Sequence, residues 1–285
     1  MINYKEFEII RTLVANTSQQ TDIAAYVYAS KPYYVFKSLE EVQDLILSLE
    51  RKGYIKNGSV TKAALEEIAP LKVKNAVILA AGGSDISAKS VYSMPKGLYV
   101  KNGETLIERQ IRQLKEVGID DITVVVGYKQ EMYFFLEEKW NVKLRINPDL
   151  KKNNIYSLYM AVDLLNNTYI CNCDNYFEKN PFFAYEYNSF HATVVKDNAH
   201  NELLVKKNTS GRITKIYSDN TSGECIYGHA YIDGEFSKRL VKFMHEEIDD
   251  FRVTALFWEE FIDRHIEDLD MYVHEYSGEF LYEFD

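Results

Sequence analysis

The sequence predicts a two-part chain, in which a small winged helix-turn-helix domain at residues 1–72 precedes an α/β domain at residues 73–285. The first part carries 9 basic and 9 acidic side chains, so the net charge of −10 falls wholly on the second. Helical periodicity fills the first part, whereas buried strands alternate with a helix in the second. This alternation is typical of a mainly parallel, Rossmann-like sheet covered by helices.

In the first part, three helices are expected, followed by a hairpin and a fourth helix. Apolar residues recur at helical spacing in three stretches, 4–15, 23–28 and 38–52. A turn at residues 56–58 lies between two short apolar segments and indicates a hairpin. The last helix is stopped by Pro70. This order of elements is that of a winged helix-turn-helix.

A winged helix-turn-helix commonly places its third helix in the major groove of DNA. Here that helix carries more acidic than basic side chains: Glu40, Glu41, Asp44 and Glu50 against Arg51 and Lys52. DNA binding is therefore not favoured, because phosphate contact needs a basic surface. The alternative is a packing or dimerisation module, and the sequence leaves the oligomeric state open, a homodimer included.

Composition restricts the class of protein further. The excess of acidic residues argues against nonspecific nucleic-acid binding, and 46% hydrophobic residues indicate a globular chain. The 3 cysteines form no CxxC pair, which favours a reduced setting. No signal-peptide or membrane-spanning run is found, so we expect a cytoplasmic protein without membrane insertion.

Small residues follow the first predicted strand of the second part. The strand at 77–79 leads into Ala80-Ala81-Gly82-Gly83-Ser84, in a loop that runs to Pro95-Lys96-Gly97. Small side chains let backbone N–H groups approach phosphate oxygens, and Lys96 offers a movable positive charge. The spacing matches neither GxGxxG nor GxxxxGK[ST], so neither a dinucleotide fold nor a P-loop is supported.

A second strand ends in a carboxylate, in the segment Thr168-Tyr169-Ile170-Cys171-Asn172-Cys173-Asp174. The carboxyl ends of parallel strands meet at the edge where ligands bind. Asp174 is therefore placed to hold Mg²⁺ against phosphate groups, since this ion takes one or two carboxylates together with phosphate oxygens. Cys171 and Cys173 share one strand face and are expected to be core side chains.

A series of motifs runs through residues 75–285, about three quarters of the chain: AVILAAGG, MPKGL, GETLIERQIRQLKEVGIDDITVVVGY, NNIYSLYMA, CNCDNYF, RHIEDLDMYV and the terminal YEFD. Taken in this order, they resemble the CTP:phosphocholine cytidylyltransferases, which have the sugar-nucleotide-type nucleotidyltransferase fold. The junction VTKAALEEIAPLKVKNAVILAAG also resembles bacterial proteins in which a winged helix precedes this catalytic domain.

The resemblance implies a set of site residues. Lys96 and Asp174 would be catalytic, and Asp174 and Asp285 would ligate Mg²⁺. The nucleotide CTP would be held by Ala80, Ala81, Gly82, Gly83, Ser84, Lys89 and Lys96. A phosphorylated amino alcohol would be held by Tyr156, Tyr159, Phe257, Trp258 and Glu283, because a quaternary ammonium is recognised by aromatic faces and a carboxylate. Each of these aromatic residues could equally be packed in a core.

The chain departs from the family pattern in two places. Ile86 stands where the family usually has an arginine, Asp85 adds an anion beside the expected phosphates, and Lys89 is expected to replace part of the lost charge. On the acceptor side, Leu203 replaces an aromatic residue and Ala255 an acidic one. The acceptor therefore stays open among phosphocholine, phosphoethanolamine, 2-aminoethylphosphonate and other phosphorylated alcohols.

The predicted function is transfer of CMP from CTP to phosphocholine or a related phosphorylated amino alcohol, with release of pyrophosphate. Two alternatives are kept. One is a nucleotide-sensing, DNA-binding regulator with a degenerate transferase domain, and the other is a sugar-1-phosphate nucleotidyltransferase.

Overall fold

The computed structural model describes residues 2–15, 22–30, 35–82, 94–200, 202–219 and 221–277, together with the backbone of 281–283. The chain divides into two compact units. The first comprises Met1–Lys72 with Phe183–Tyr187, and the second Val73–Phe182 with Asn188–Asp285. The short segment Phe183–Tyr187 is thus an exception to the contiguous domains expected from the sequence.

The first unit contains four helices and a hairpin in its described part. These are α1 (Tyr4–Ala15), α2 (Ile23–Ser30), α3 (Leu39–Arg51), β1 (Ile55–Lys56), β2 (Ser59–Val60) and α4 (Lys62–Ile68). The Ser38 hydroxyl accepts a hydrogen bond from the Glu41 amide at 3.2 Å and so caps α3. Asn57 and Gly58 have φ of 52° and 73°, which suit the tight turn between β1 and β2. The winged-helix assignment itself stays a prediction.

A buried ionic cluster lies within the first unit. Arg11 on α1 is 2.8 Å from the Glu8 carboxylate and also pairs with Glu186, and all three side chains are at most 5% exposed. The Arg11 guanidinium lies 4.2 Å from the centroid of the Phe183 ring. Segment Phe183–Tyr187 therefore contributes both a carboxylate and an aromatic face to this unit.

The second unit is built on strands and helices that alternate along the chain. Its described strands are β3 (Asn75–Ala80), β4 (Val100–Lys101), β5 (Glu104–Thr105), β6 (Ile122–Val126), β7 (Lys143–Ile146), β8 (Thr168–Asn172), β9 (Asn175–Phe177), β10 (Phe190–Lys196), β11 (Leu203–Lys207), β12 (Ile213–Ser218), β13 (Gly223–Ile232), β14 (Tyr272–Tyr276) and β15 (Leu281–Glu283). Its described helices are α5 (Leu106–Glu116), α6 (Phe135–Trp140), α7 (Asn154–Tyr159), α8 (Gly234–Glu247), α9 (Phe251–Thr254) and α10 (Trp258–Arg264).

The main sheet has the order β12-β11-β13-β8-β3-β6-β7, and β10 pairs with both β13 and β14. Strands β8, β3, β6 and β7 are parallel, whereas β13 runs antiparallel to β8. Every residue of β3 and β6 is buried, which explains their uninterrupted apolar sequence. Since the central strands are parallel, the predicted α/β fold class is confirmed.

Hydrophobic side chains cover both faces of the sheet. One cluster includes Leu158 of α7, Leu240 of α8 and Phe261 of α10, and another includes Ile111 of α5 and Leu136 of α6. Cys171 and Cys173 are buried in the second cluster as free thiols, as expected. Among the described helices, none has the length and apolar character needed to cross a bilayer.

A histidine without a hydrogen-bond partner lies inside this second core. His229 is fully buried, and neither of its ring nitrogens has a partner among the described residues. Aromatic rings surround it with centroids 5.2 to 5.7 Å away: Tyr169, Phe177, Phe182, Phe190 and Tyr276. Burial, with smaller contributions from His274 and His191, lowers the pKa of His229 well below its usual 6.5.

This burial predicts a pH-dependent stability. Below pH 6.5 the unfolded chain takes up a proton at His229 that the folded chain does not bind, so the free energy of unfolding falls as the pH falls. We expect this contribution to reach about 1.4 kcal/mol per pH unit. Urea unfolding between pH 8 and pH 5 measures it, with His229→Phe as the comparison. An equally steep pH dependence in that variant would contradict the prediction.

Candidate active site

A cleft of about 320 Å³ lies at the carboxyl ends of the parallel strands, where ligands bind in such sheets. Residues from the ends of β3, β6, β7 and β8 and from the segment before α10 line it: Leu79, Ala81, Gly82, Lys96, Tyr128, Asn147, Leu150, Lys152, Asn153, Asn154, Ser157, Asn172, Cys173, Asp174 and Phe257. The cleft is a candidate nucleotide site because it combines backbone of small residues with two lysines and a carboxylate.

Lys96 and Asp174 lie next to each other in this cleft. The Lys96 Nζ lies 3.6 Å from the Asp174 Oδ2, and the two side chains are 25% and 16% exposed. Gly97 makes the approach possible, since a Cβ there would lie 3.0 Å from both the Cys173 Cβ and the Tyr133 hydroxyl. Without a side chain, residue 97 lets the Lys96 turn pack directly against the residue that precedes Asp174.

The donor set at Asp174 fits Mg²⁺. A partly buried carboxylate facing a cleft is the kind of oxygen ligand that this ion takes. In the described part of the chain, no three His, Cys, Asp or Glu side chains are grouped so that they could hold a metal ion by themselves. That finding is compatible with Mg²⁺, which commonly binds through one or two carboxylates and leaves its other positions to phosphate and water.

Two asparagines hold the wall that carries Phe257. The Asn153 amide donates to the Thr254 carbonyl at 2.8 Å, and the Asn153 side chain donates to the Ala255 carbonyl at 3.1 Å. The Trp258 amide in turn donates to the Asn154 Oδ1 at 2.8 Å. These bonds fix the short segment on which Phe257, 45% exposed, reaches the cleft.

The predicted aromatic pair is separated by the structure. Phe257 lines the cleft, whereas Trp258 is only 2% exposed and packs in the hydrophobic core, with its ring stacked on His191 at 5.5 Å. Trp258 is the first residue of α10, and the helix turns its side chain inward. The placement of Trp258 therefore corresponds to core packing, the alternative that the sequence left open.

Tyr156 and Tyr159 are partly buried against the same core. The Lys152 Nζ lies 3.7 Å from the centroid of the Tyr156 ring, so a cation of the chain itself occupies one face of that ring. The two tyrosine rings stack at 6.3 Å, and the Tyr159 hydroxyl lies 3.2 Å from the His245 Nδ1. These contacts make both tyrosines part of the framework beside the cleft.

Several predicted residues lie outside the described part of the chain. They are Gly83, Ser84, Asp85, Ile86, Lys89 and Asp285, and the side chain of Glu283 is not described either. Of the remaining loop residues, Ala80 is buried at the end of β3, while Ala81 and Gly82 line the cleft. The backbone of Glu283 pairs with Asn175, the residue after Asp174.

Sequence reasoning missed most of the polar wall of the cleft: Tyr128, Asn147, Lys152, Asn153, Asn154, Ser157 and Asn172. Two signals could have found part of it. Asn147 follows directly on strand β7, and Asn153 directly precedes α7, a position where asparagine is a common helix cap. In the NNIYS motif the sequence resemblance implies a substrate-binding role for the tyrosine, whereas the two asparagines line the cleft.

The fold and the cleft define the class: an α/β protein with a nucleotide-type site at the carboxyl edge of a parallel sheet. The MobA-like NTP transferase domain family matches residues 76–222, and the chain belongs to this family. It is therefore a nucleotidyltransferase.

Individual relatives agree with this assignment. The chain is 33% identical over 211 residues to a choline-phosphate cytidylyltransferase of Streptococcus pneumoniae, covering 74% of this chain and 92% of the relative. It is 31% identical over 225 residues to a 2-aminoethylphosphonate cytidylyltransferase of Lancefieldella rimae, with 74% and 88% covered. A solved structure of CTP:phosphocholine cytidylyltransferase from S. pneumoniae superimposes with a TM-score of 0.70 at 33% identity, covering 75% of this chain and 93% of that one.

Proposed function

We propose that this protein transfers CMP from CTP to phosphocholine or a related phosphorylated amino alcohol and releases pyrophosphate. The observation that carries the proposal is the Lys96–Asp174 pair in the cleft at the carboxyl end of β8. The activities named for the relatives from S. pneumoniae and L. rimae, on choline phosphate and on 2-aminoethylphosphonate, support the choice of substrates.

The reaction needs positioning and charge stabilisation more than it needs a nucleophile from the protein. A phosphate oxygen of the acceptor would form a bond to the α-phosphorus of CTP while the bond to pyrophosphate breaks. Lys96 would hold phosphate oxygens and stabilise the negative charge that grows on the leaving group. Ala81 and Gly82 line the cleft with small side chains, so backbone there can approach the nucleotide.

Mg²⁺ would be held by Asp174 and, as the sequence resemblance implies, by Asp285. When bound, it would supply positive charge to the phosphate oxygens of the nucleotide. Asp174 would also orient Lys96, since its Oδ2 lies 3.6 Å from the ammonium.

The test is pyrophosphate release by the purified protein with Mg²⁺. CTP, UTP and ATP would each be combined with phosphocholine, phosphoethanolamine, 2-aminoethylphosphonate and glucose 1-phosphate. We expect release with CTP and at least one of the amino-alcohol substrates. Release with glucose 1-phosphate alone would favour the sugar nucleotidyltransferase alternative, and release with no acceptor would contradict the proposal.

The DNA-binding regulator is less well supported. Along α3, Glu40, Asp44 and Glu50 are exposed to solvent, so this helix presents acidic side chains where phosphate contact would need basic ones.

Phe257 offers a separate test of the acceptor. Its exposed ring in the cleft can contact a quaternary ammonium, an interaction that contributes about 0.5–2 kcal/mol. We expect Phe257→Ala to raise the KM for phosphocholine about twofold to thirtyfold and to leave the KM for CTP unchanged. Phe251→Ala is the matched control, since Phe251 is 79% exposed on α9. An equal rise in both KM values would contradict a specific role in acceptor binding.

A further inference from the structure

Lys152 is held at a fixed place in the cleft by two contacts. It lies on the loop between β7 and α7, and its side chain is 31% exposed. The Nζ lies 3.7 Å from the centroid of the Tyr156 ring and 3.8 Å from the Asp149 Oδ2. A lysine of this exposure ordinarily samples many rotamers. The aromatic face and the carboxylate restrict these rotamers before any ligand is bound, so less side-chain entropy is lost on binding.

The Tyr156 ring is itself supported from behind. It stacks on Tyr159, whose hydroxyl lies 3.2 Å from the His245 Nδ1 on α8. With an ammonium over one face, Tyr156 is poorly suited to bind the ammonium of an amino alcohol, because two cations on one ring repel each other. The contacts of the Tyr156 ring therefore position Lys152.

The two lysines of the cleft lie on different loops. Lys96 pairs with Asp174 after β8, whereas Lys152 lies on the loop between β7 and α7. Lys152 and the exposed ring of Phe257 line the same cleft, and Asn153, the next residue after Lys152, is hydrogen-bonded to the segment that carries Phe257. A cation beside an exposed aromatic ring is complementary to a molecule that joins a phosphate to an ammonium group.

We propose that Lys152, positioned by the ring of Tyr156, binds the phosphate group of the acceptor. This assignment rests on the proposed function, since it concerns the second substrate of the same reaction. It leaves Lys96 to the triphosphate and makes Lys152 a binding residue that separates phosphorylated amino alcohols from the free amino alcohols.

Binding of the acceptor can be measured without turnover. Phosphocholine and choline would each be titrated calorimetrically into the protein saturated with α,β-methylene-CTP and Mg²⁺. A hydrogen bond to a charged group contributes about 1.5–3 kcal/mol, so Lys152→Met should weaken phosphocholine binding about tenfold to hundredfold. Choline binding should be unchanged, and Lys152→Arg should retain most of the affinity for phosphocholine. Equal phosphocholine affinity in wild type and Lys152→Met would overturn the proposal.

A double-mutant cycle tests the role of Tyr156. Tyr156→Leu removes the ring face and should raise the KM for phosphocholine with little change in kcat, whereas Tyr156→Phe keeps the face and should behave as wild type. If the ring acts through Lys152, Tyr156→Leu should have no further effect in the Lys152→Met background. Additive effects would instead mean that Tyr156 contacts the substrate directly, and a rise only in the KM for CTP would assign Lys152 to the nucleotide. Either result overturns the proposal.

The proposed function and the role of Lys152 are tested by different outcomes. Turnover by the wild type with an unchanged Lys152→Met variant would reject the assignment of Lys152 and leave the proposed function standing. Absence of turnover with every acceptor would reject the proposed function, while the calorimetric comparison would still decide whether Lys152 binds phosphocholine. A wild type that binds none of phosphocholine, phosphoethanolamine and 2-aminoethylphosphonate would reject both.

Discussion

Replacing Asp174 with asparagine is expected to lower pyrophosphate release from CTP and phosphocholine by about a hundredfold to a thousandfold. The substitution keeps the size of the side chain but removes the negative charge that would hold Mg²⁺ and that lies 3.6 Å from the Lys96 ammonium. Catalysis of phosphoryl transfer depends mainly on positioning and electrostatics, so the loss should fall on kcat. Initial rates at saturating CTP and acceptor measure it.

Two comparisons make this result specific. Asp120→Asn removes a carboxylate whose side chain is 80% exposed, and it should leave the rate unchanged. The Mg²⁺ concentration needed for half-maximal rate should rise in Asp174→Asn and stay the same in Asp120→Asn. An Asp174→Asn enzyme within threefold of the wild-type rate would show that this carboxylate neither binds the metal nor orients Lys96.

The central part of the fold could be predicted because its sequence signals are local. Strands β3 and β6 are buried on both faces, so each reads as an apolar run, and their parallel pairing follows from the helix between them. Asp174 was predicted from its position at the end of such a strand. Strands such as β14 are only partly buried and gave no comparable pattern, although β14 adds to the sheet beside β10.

The orientation of several side chains in the candidate site depends on tertiary contacts that leave no pattern in the sequence. Phe257 and Trp258 are neighbours of similar chemistry, and only the start of α10 at Trp258 decides that one ring faces the cleft and the other the core. The place of Lys152 depends on a contact with Tyr156 that competes with solvation of the ammonium. The loop beyond Gly82, where the chain departs from the family pattern, lies outside the described residues.

The grouping of Phe183–Tyr187 with the first unit could not be predicted from local sequence, because it depends on contacts between residues far apart in the chain. Arg11 and Glu186 are separated by 175 positions, and their side chains are each only 5% exposed. Glu8 completes the cluster at 2.8 Å, while Phe7 and Phe183 lie beside the guanidinium. Burial removes water from these charges, and the attraction between Arg11 and the two carboxylates offsets part of that cost.

Arg11→Met is therefore expected to lower the free energy of unfolding of the first unit by about 3–5 kcal/mol, since it leaves two buried carboxylates without their cation. Circular dichroism in urea measures this loss of stability. Tryptophan fluorescence would not report it, because both tryptophans, Trp140 and Trp258, belong to the second unit. Lys62→Met, which removes a surface partner that is 90% exposed, should change the stability by less than about 0.5 kcal/mol. Combining Arg11→Met with Glu8→Gln and Glu186→Gln should restore much of the loss, because no charge is then buried unpaired. An Arg11→Met protein that unfolds at the same urea concentration as wild type would show that the cluster contributes no net stability, and that apolar contacts such as those of Phe183 suffice to hold segment Phe183–Tyr187 in the first unit.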